Sequence, residues 1–324
     1  MPQIKKTKKI AIIGECMIEL SGMPFSTMQQ TFGGDTLNTA VYLSRVSAAR
    51  YQEQSIDVSY VTALGEDVLS DEMLNRWQGE GINTRLVLRD SKRNPGLYMI
   101  QLDESGERNF LYWRNQSAAR YLFQHPEFQR LAQALRQVDV VMISGISLAI
   151  LPAKDRKSML ALIASLNQAG VEIVFDSNYR PTLWPSDDHG LTAKQAYRSM
   201  YEFTDLALVT FKDEQTLWGD ASPLATIARL STFGIQKIVV KHGAHGCLFQ
   251  DWASDVPQYI ATKPVKSVVD TTSAGDSFNG GFLAAYLAGR TIIEACHQGN
   301  ALAGTVIQHR GAIISRDLTF SAAI

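Results

Sequence analysis

Apolar residues along the chain gather into short β-branched runs set between amphipathic stretches. Ile10–Ile13, Val58–Ala63, Val138–Ile143, Val171–Phe175, Leu206–Val209 and Ile238–Val240 read as buried strands. Alternating with helical patterns, they predict an α/β architecture: a mainly parallel sheet with helices on both faces. Residues 96–114 break this rhythm. Two extended runs flank the turn sequence Asp103-Glu104-Ser105-Gly106 with no helix between, so an antiparallel hairpin is expected there. In its second arm, period two puts Phe110, Tyr112 and Arg114 on one face and Leu111 and Trp113 on the other. Large apolar groups on both faces suggest a small lid over a ligand cleft, its outer face against another lid or subunit. A hairpin folded onto its own domain satisfies the same pattern. No internal repeat or low-complexity linker interrupts the chain, so residues 1–324 are expected to form one domain with the lid inserted.

Composition narrows the functional classes. Hydrophobic residues at 45% and charged residues at 19% exclude wholesale disorder. Lys+Arg 31 against Asp+Glu 32 leave a formal charge of -1, which gives no global field for a nucleic acid or an anionic membrane. Neither partner is expected. The longest uncharged runs, Val140–Ala153 and Ser277–Gly289, fall short of the ~18 residues a membrane helix needs. The apolar stretch after Lys5, Lys6, Lys8 and Lys9 is halted by Gly14 and Glu15, so no signal peptide is expected. Cys16, Cys247 and Cys296 stand apart from one another, which fits a reducing, cytoplasmic setting. His242 and His245 lie in a glycine-rich turn and read as surface residues rather than metal ligands.

Neither a G-x-x-x-x-G-K-[ST] loop nor a G-x-G-x-x-G after a strand occurs, so phosphate must be held another way. Val268-Val269-Asp270-Thr271-Thr272-Ser273-Ala274-Gly275-Asp276 runs from a β-branched segment through small residues into the helical pattern Phe278, Phe282, Tyr286. Backbone amides at a helix start lack partners and meet the positive end of the dipole, so this turn is a candidate anion hole. Asp276 opens the same helix, where its carboxylate could take a proton from an attacking hydroxyl; it could equally cap the helix beyond a tight turn at Gly275. Gly280 and Gly281 follow inside the helix at roughly 1 kcal/mol each against alanine, which points to close approach by another backbone or a ligand. A second segment, Phe32-Gly33-Gly34-Asp35-Thr36-Leu37-Asn38, places Asp35 and Asn38 one turn apart at a helix start. A carboxylate and an amide above a glycine pair suit the hydroxyls of a polyol, though Asp35 also reads as an N-cap.

Together the two segments resemble the motifs of ribokinase-like (PfkB-type) carbohydrate kinases, G-G-[ND]-x-x-N and D-T-x-[GA]-[AG]-G-D. They stand here as Gly33-Gly34-Asp35-Thr36-Leu37-Asn38 and Asp270-Thr271-Thr272-Ser273-Ala274-Gly275-Asp276. The resemblance spans nearly the whole chain. It implies a three-layer ribokinase-like fold with a β lid from about residues 15–34 and 92–116 and transfer of a phosphoryl group from ATP, with Mg²⁺, to a sugar hydroxyl. Asp276 would be the base, and the amides of Ser273, Ala274, Gly275 and Asp276 the anion hole. Within the family the chain is most similar to 2-keto-3-deoxygluconate kinases, which share G-G-D-T-L-N, Tyr112-Trp113-Arg114-Asn115 and Asp176-Ser177-Asn178-Tyr179-Arg180-Pro181. That likeness implies that Gly34, Tyr98, Tyr112, Arg114 and Arg180 hold the substrate, beside Gly33, Asp35 and Asn38. Asn178, Lys241, Gly243, Ala244, Gly246 and Asn300 would line the nucleotide site. Ser273 and His242 depart from the residues common at their positions.

An acidic sugar also fits the residues themselves. Arg180 follows a strand whose carboxyl end is where open parallel sheets bind ligands, and Arg114 projects from the lid toward the same cleft. Two converging guanidinium groups match a carboxylate. Arg114 can instead pair with an acidic neighbour at the rim, and Arg180 can meet a phosphate. A fructokinase- or ribokinase-like sugar kinase is the nearest alternative, and a sugar-binding regulator on the same fold the next.

Overall fold

The computed structural model describes residues 7–102, 108–251 and 256–321. Its strands are β1 (Lys8–Ile13), β2 (Met17–Gly22), β3 (Met28–Gly33), β4 (Ile56–Gly65), β5 (Val87–Asp90), β6 (Leu97–Leu102), β7 (Arg108–Trp113), β8 (Val140–Ser144), β9 (Glu172–Asp176), β10 (Leu206–Thr210), β11 (Lys237–Lys241), β12 (Cys247–Asp251) and β13 (Gln258–Ile260). The helices are α1 (Asp35–Arg50), α2 (Val68–Gly79), α3 (Phe128–Leu135), α4 (Gly145–Ala149), α5 (Ala153–Gln168), α6 (Leu191–Tyr201), α7 (Phe211–Trp218), α8 (Pro223–Ser231), α9 (Ala274–Leu287), α10 (Ile292–Val306) and α11 (Arg316–Ser321).

Nine strands form one sheet in the order β13-β12-β11-β10-β9-β8-β1-β4-β5. All its neighbours pair in parallel except at the β11-β12-β13 edge. Each of the six β-branched runs is one of its parallel strands. Their continuous apolar character follows from cover on both faces. Ile10 and Ile12 of β1 join a core with Leu37, Tyr42, Phe282 and Leu283 of α1 and α9. Ala11 and Ile13, turned to the other face, join Ile163 of α5 and Tyr197 and Tyr201 of α6. The result is the helix–sheet–helix layering expected.

Four strands form a second sheet in the order β3-β2-β6-β7. The hairpin expected at residues 96–114 is its β6–β7 arm, with Tyr98 opposite Tyr112 and Ile100 opposite Phe110; its turn lies outside the described residues. The apolar pattern did not single out β2 and β3, whose polar residues carry no strong strand signal; both lie within residues 15–34, which the resemblance assigns to the lid. Glu15 and Gly14 join β1 of the large sheet directly to β2 of the small one, so the end of β1 is where the two sheets meet.

Glycines Gly280 and Gly281 are explained by packing. A Cβ on Gly280 would stand 2.6 Å from Tyr42 Cβ and 2.9 Å from the Leu43 amide, and one on Gly281 3.0 Å from the Gln298 carbonyl. Helix α9 is therefore clamped at backbone distance between α1 and α10, which fixes where its N-terminus emerges.

Candidate active site

The parallel strands end on one edge of the sheet, and their carboxyl-terminal residues face two adjoining cavities. The first, about 570 Å³, is lined by Gly33, Gly34, Asp35 and Asn38, by Tyr98, Phe110, Tyr112 and Arg114 of the small sheet, by Asp176, Asn178, Arg180 and Asp213, and by Thr271–Asp276. The second, about 370 Å³, lies between the turn at Gly243, Ala244 and Gly246, the segment Thr262–Val265, and Phe278, Asn300, Ala303 and Ile307. Thr210, Lys241, Thr271, Ala274 and Gly275 line both, whereas Asp276 lines the first alone. The start of α9 is thus the wall through which the cavities communicate.

Local geometry at that wall follows from the small residues. Ser273 is the N-cap of α9, at φ 64, a left-handed conformation that glycine adopts more readily. It makes no side-chain cap, and Asp276 is the third helical residue, so the capping role is not what Asp276 does. Ala274 donates its amide to Thr271 O at 3.2 Å and Ser277 donates to Ser273 O at 2.8 Å. Between them the amides of Gly275 and Asp276 take no backbone carbonyl among the described residues, as expected for a helix start open to a ligand.

Asp276 is held by the first motif. Asn38 donates its Nδ2 to Asp276 Oδ2 at 2.9 Å, and the Thr39 hydroxyl donates to the Asp276 carbonyl at 3.2 Å. Burial pushes the Asp276 carboxyl up to about 7; the nearby Asp35 charge adds to this and the Asn38 hydrogen bond opposes it. Burial raises Asp35 as well, against the hydrogen bonds it receives, including one from Asn178 Nδ2 at 2.7 Å. Gly34, in extended backbone, is the N-cap of α1, so Asp35 is not the cap. A Cβ on Gly34 would lie 2.2 Å from the Glu15 carbonyl and one on Gly33 2.5 Å from the Tyr98 hydroxyl. The glycine pair is what lets the chain pass from β3 into α1 against the end of β1.

Every residue expected at the site lines one or both of these cavities. Asn178, expected with the nucleotide residues, lines the first cavity, as do Lys241 and Thr271–Asp276; at φ 31 it turns its amide onto Asp35 at the start of α1. Lys241, Gly243, Ala244, Gly246 and Asn300 do line the second cavity. Arg114 and Arg180 both reach the first cavity, and both guanidiniums act on the Tyr112 phenol, opposing the upward push of its burial. Neither is free. Arg114 donates Nε to Glu15 Oε2 at 2.8 Å and closes a second, shorter bond to it from Nη2. Its partner Glu15 is 1% exposed, so this is a buried pair rather than one at the rim. Arg180, half-exposed, lies 3.5 Å from Asp213, whose carboxyl is pushed up to about 6 by burial, with the Arg180 charge pulling the other way.

Sequence reasoning missed Glu15, Asp176, Thr210, Asp213 and Phe110 as wall residues. Four of these stand at or just past the ends of β1, β9 and β10, and that position is the signal that finds them. Period two puts Phe110 on the face of Tyr112 and Arg114 without naming it a wall residue; it packs 6.2 Å from both Tyr98 and Tyr112 to make an aromatic wall.

Residues 7–318 match the pfkB family carbohydrate kinase model. The chain belongs to the PfkB family of carbohydrate kinases. A 2-dehydro-3-deoxygluconokinase of Haemophilus influenzae is 54% identical to it over 95% of this chain and 96% of the relative. One of the same name from Escherichia coli K12 is 43% identical over 96% of this chain and 98% of the relative. A crystal structure of a fructokinase with bound ATP from Xylella fastidiosa shares the fold, with TM-score 0.77 and 20% identity, covering 98% of this chain and 95% of that one. The family's ribokinase-like architecture and the two motifs that anchor α1 and α9 therefore belong to one kinase framework. Among the described residues no helix is long and apolar enough to cross a membrane.

Proposed function

We propose that the chain transfers the γ-phosphoryl group of ATP to the terminal hydroxyl of 2-keto-3-deoxygluconate, giving the 6-phosphate and ADP. One observation carries this reading: an acceptor cavity and a second, more apolar cavity meet at Gly275, with the buried Asp276 on the acceptor side only. The sugar acid lies under the aromatic wall, and the adenosine occupies the cavity of Val265, Phe278 and Ile307. Asp276 removes the proton of the acceptor hydroxyl as its oxygen attacks the γ-phosphorus in line. The bond from that phosphorus to the β–γ bridging oxygen breaks and ADP leaves. The amides of Gly275 and Asp276 and the Lys241 ammonium face the phosphoryl oxygens as charge develops on them. A base poised near 7 is half ionised at neutral pH, the condition in which proton transfer is most effective.

Among the described residues no group of three or more acidic, histidine or cysteine side chains converges to hold a metal ion by itself, so Mg²⁺ would come with the nucleotide phosphates and its own waters, with one or two wall carboxylates at most. Bound in that way, it would neutralise the phosphate charge. Arg114, Arg180 and the Tyr112 phenol meet the substrate carboxylate. The 2-dehydro-3-deoxygluconokinase relatives support this acceptor. The pairing of Arg114 with Glu15 favours the second reading, a neutral acceptor such as fructose, because it cancels one of the two positive charges. Buried cysteines without disulfides suit a cytoplasmic enzyme. The outer face of the small sheet, where Leu111 and Trp113 are 43% and 57% exposed, suits pairing of two subunits through their lids.

The test is phosphate transfer from ATP·Mg²⁺ to a panel of 2-keto-3-deoxygluconate, its galactonate epimer, fructose and ribose, by wild type and Arg180→Leu. The keto acid should dominate, and the variant should lose far more activity on it than on any neutral sugar. A wild-type preference for fructose or ribose would remove the acidic acceptor.

A further inference from the structure

Behind the junction of the two cavities lies a side chain that neither motif reading placed in the chemistry. Asn279 is fully buried on α9, one turn beyond Asp276. Its Nδ2 donates to Asp176 Oδ2 at 2.6 Å, while its Oδ1 accepts from Lys241 Nζ at 2.9 Å. Its two neighbours fix the orientation of the amide, since only the NH2 end can face the carboxylate and only the carbonyl can face the ammonium. Lys241 and Asp176 themselves are 3.3 Å apart, at the long end of a charged hydrogen bond. The same ammonium lies 3.7 Å from where a Cβ on Gly275 would stand, beside the unpaired amides.

We infer that Asn279 is a positioning residue for phosphoryl transfer: it wedges between Asp176 and Lys241 and holds the Lys241 ammonium at the cavity junction, with donor capacity left for the nucleotide phosphates. An ammonium carries three donors, and Asn279 and Asp176 take two of them. In a buried, weakly screened site, Asp176 and Lys241, already in contact at 3.3 Å, tighten onto each other once the bridging amide is gone, which draws the cation from Gly275. The amide prevents this because it satisfies both charges at once while adding none of its own. Asn279 touches no ligand cavity, so its action runs through Lys241.

This inference rests on the kinase reading above, and the experiment separates the two. Calorimetry would compare ATP and adenosine binding to wild type, Asn279→Leu, Lys241→Met and the double variant, each with its melting temperature recorded. Asn279→Leu should weaken ATP about tenfold, the scale of one charged hydrogen bond, and leave adenosine unchanged. It should lower kcat by about 10–100-fold, with the sugar KM within threefold of wild type. In the Lys241→Met background it should cost nothing further. Equal losses for ATP and adenosine, or the same loss with and without Lys241, would overturn the positioning role. Should Asn279→Leu not fold, Asn279→Ser, which also removes the wedge, takes its place under the same criteria. Wild type that binds no ATP would instead overturn the kinase reading.

Discussion

At the residue scale, Asp276 carries opposite consequences for activity and stability. Its carboxyl is raised to about 7 by burial and by Asp35, whereas an unfolded aspartate titrates near 3.8. Between those values the folded protein binds more protons than the unfolded chain, so this group makes stability fall as pH rises through that window. With Asp276 as the proposed base, activity runs the other way, because a base works only when deprotonated. For the wild type we expect an acid limb in kcat/KM centred near 7. Asp276→Asn keeps the Asn38 hydrogen bond but removes the charge. It should lower kcat by about 10²–10⁴-fold, abolish that limb and spare ATP binding. The same variant should melt higher than wild type at pH 8 and equally at pH 4, as thermal unfolding at the two pH values would report. Unchanged turnover would remove Asp276 from the mechanism.

Among the elements, α9 has the least freedom. Its N-terminus carries the open amides and Asp276, its middle holds Asn279, and its glycines let α1 and α10 approach at backbone distance. A methyl at Gly280 meets the Leu43 amide and the Thr39 carbonyl at 2.9 Å, atoms that cannot swing aside. Gly280→Ala should therefore cost about 1–3 kcal/mol by overpacking rather than stabilise through better helix propensity. That corresponds to a melting temperature lower by about 2–6 °C. Because Thr39 also bonds the Asp276 backbone, kcat should fall as well. A higher melting temperature in calorimetric scans would mean that the helices separate without strain.

For the whole molecule, the decisive contact joins the two sheets. Glu15 leaves the end of β1 and pairs with Arg114, which follows β7, so a buried ion pair ties the small sheet to the large one at the acceptor cavity. Glu15 Oε1 is buried without a hydrogen-bond partner, so the pair is held at the expense of an unsatisfied oxygen. Glu15→Gln keeps the shape and leaves the Arg114 charge uncompensated. In steady-state kinetics we expect the KM for the sugar to change by about tenfold or more while the KM for ATP stays within threefold. Equal changes in both would place the effect in general stability instead of in the wall that Arg114 forms.

How much was legible follows from the range over which each feature is determined. Continuous apolar runs announced the parallel strands because a strand covered on both faces has to be apolar throughout, and the glycine-rich turns announced both helix starts because only small residues pass there. Local spacing put Asp35 beside Asn38 and Asp276 beside Gly275. It had no means to show that Asn38 grips Asp276 across 238 residues, or that Asn178 donates to Asp35. It allowed Arg114 an acidic neighbour at the rim but could not name Glu15 or show the pair to be buried, and it gave no sign of Asp213 beside Arg180, since both carboxylates come from distant segments. Backbone propensity and burial are written within a few residues of sequence. Charge pairing and the raising of an acid's pKa depend on which strand ends the fold brings together, and the tertiary structure alone decides that.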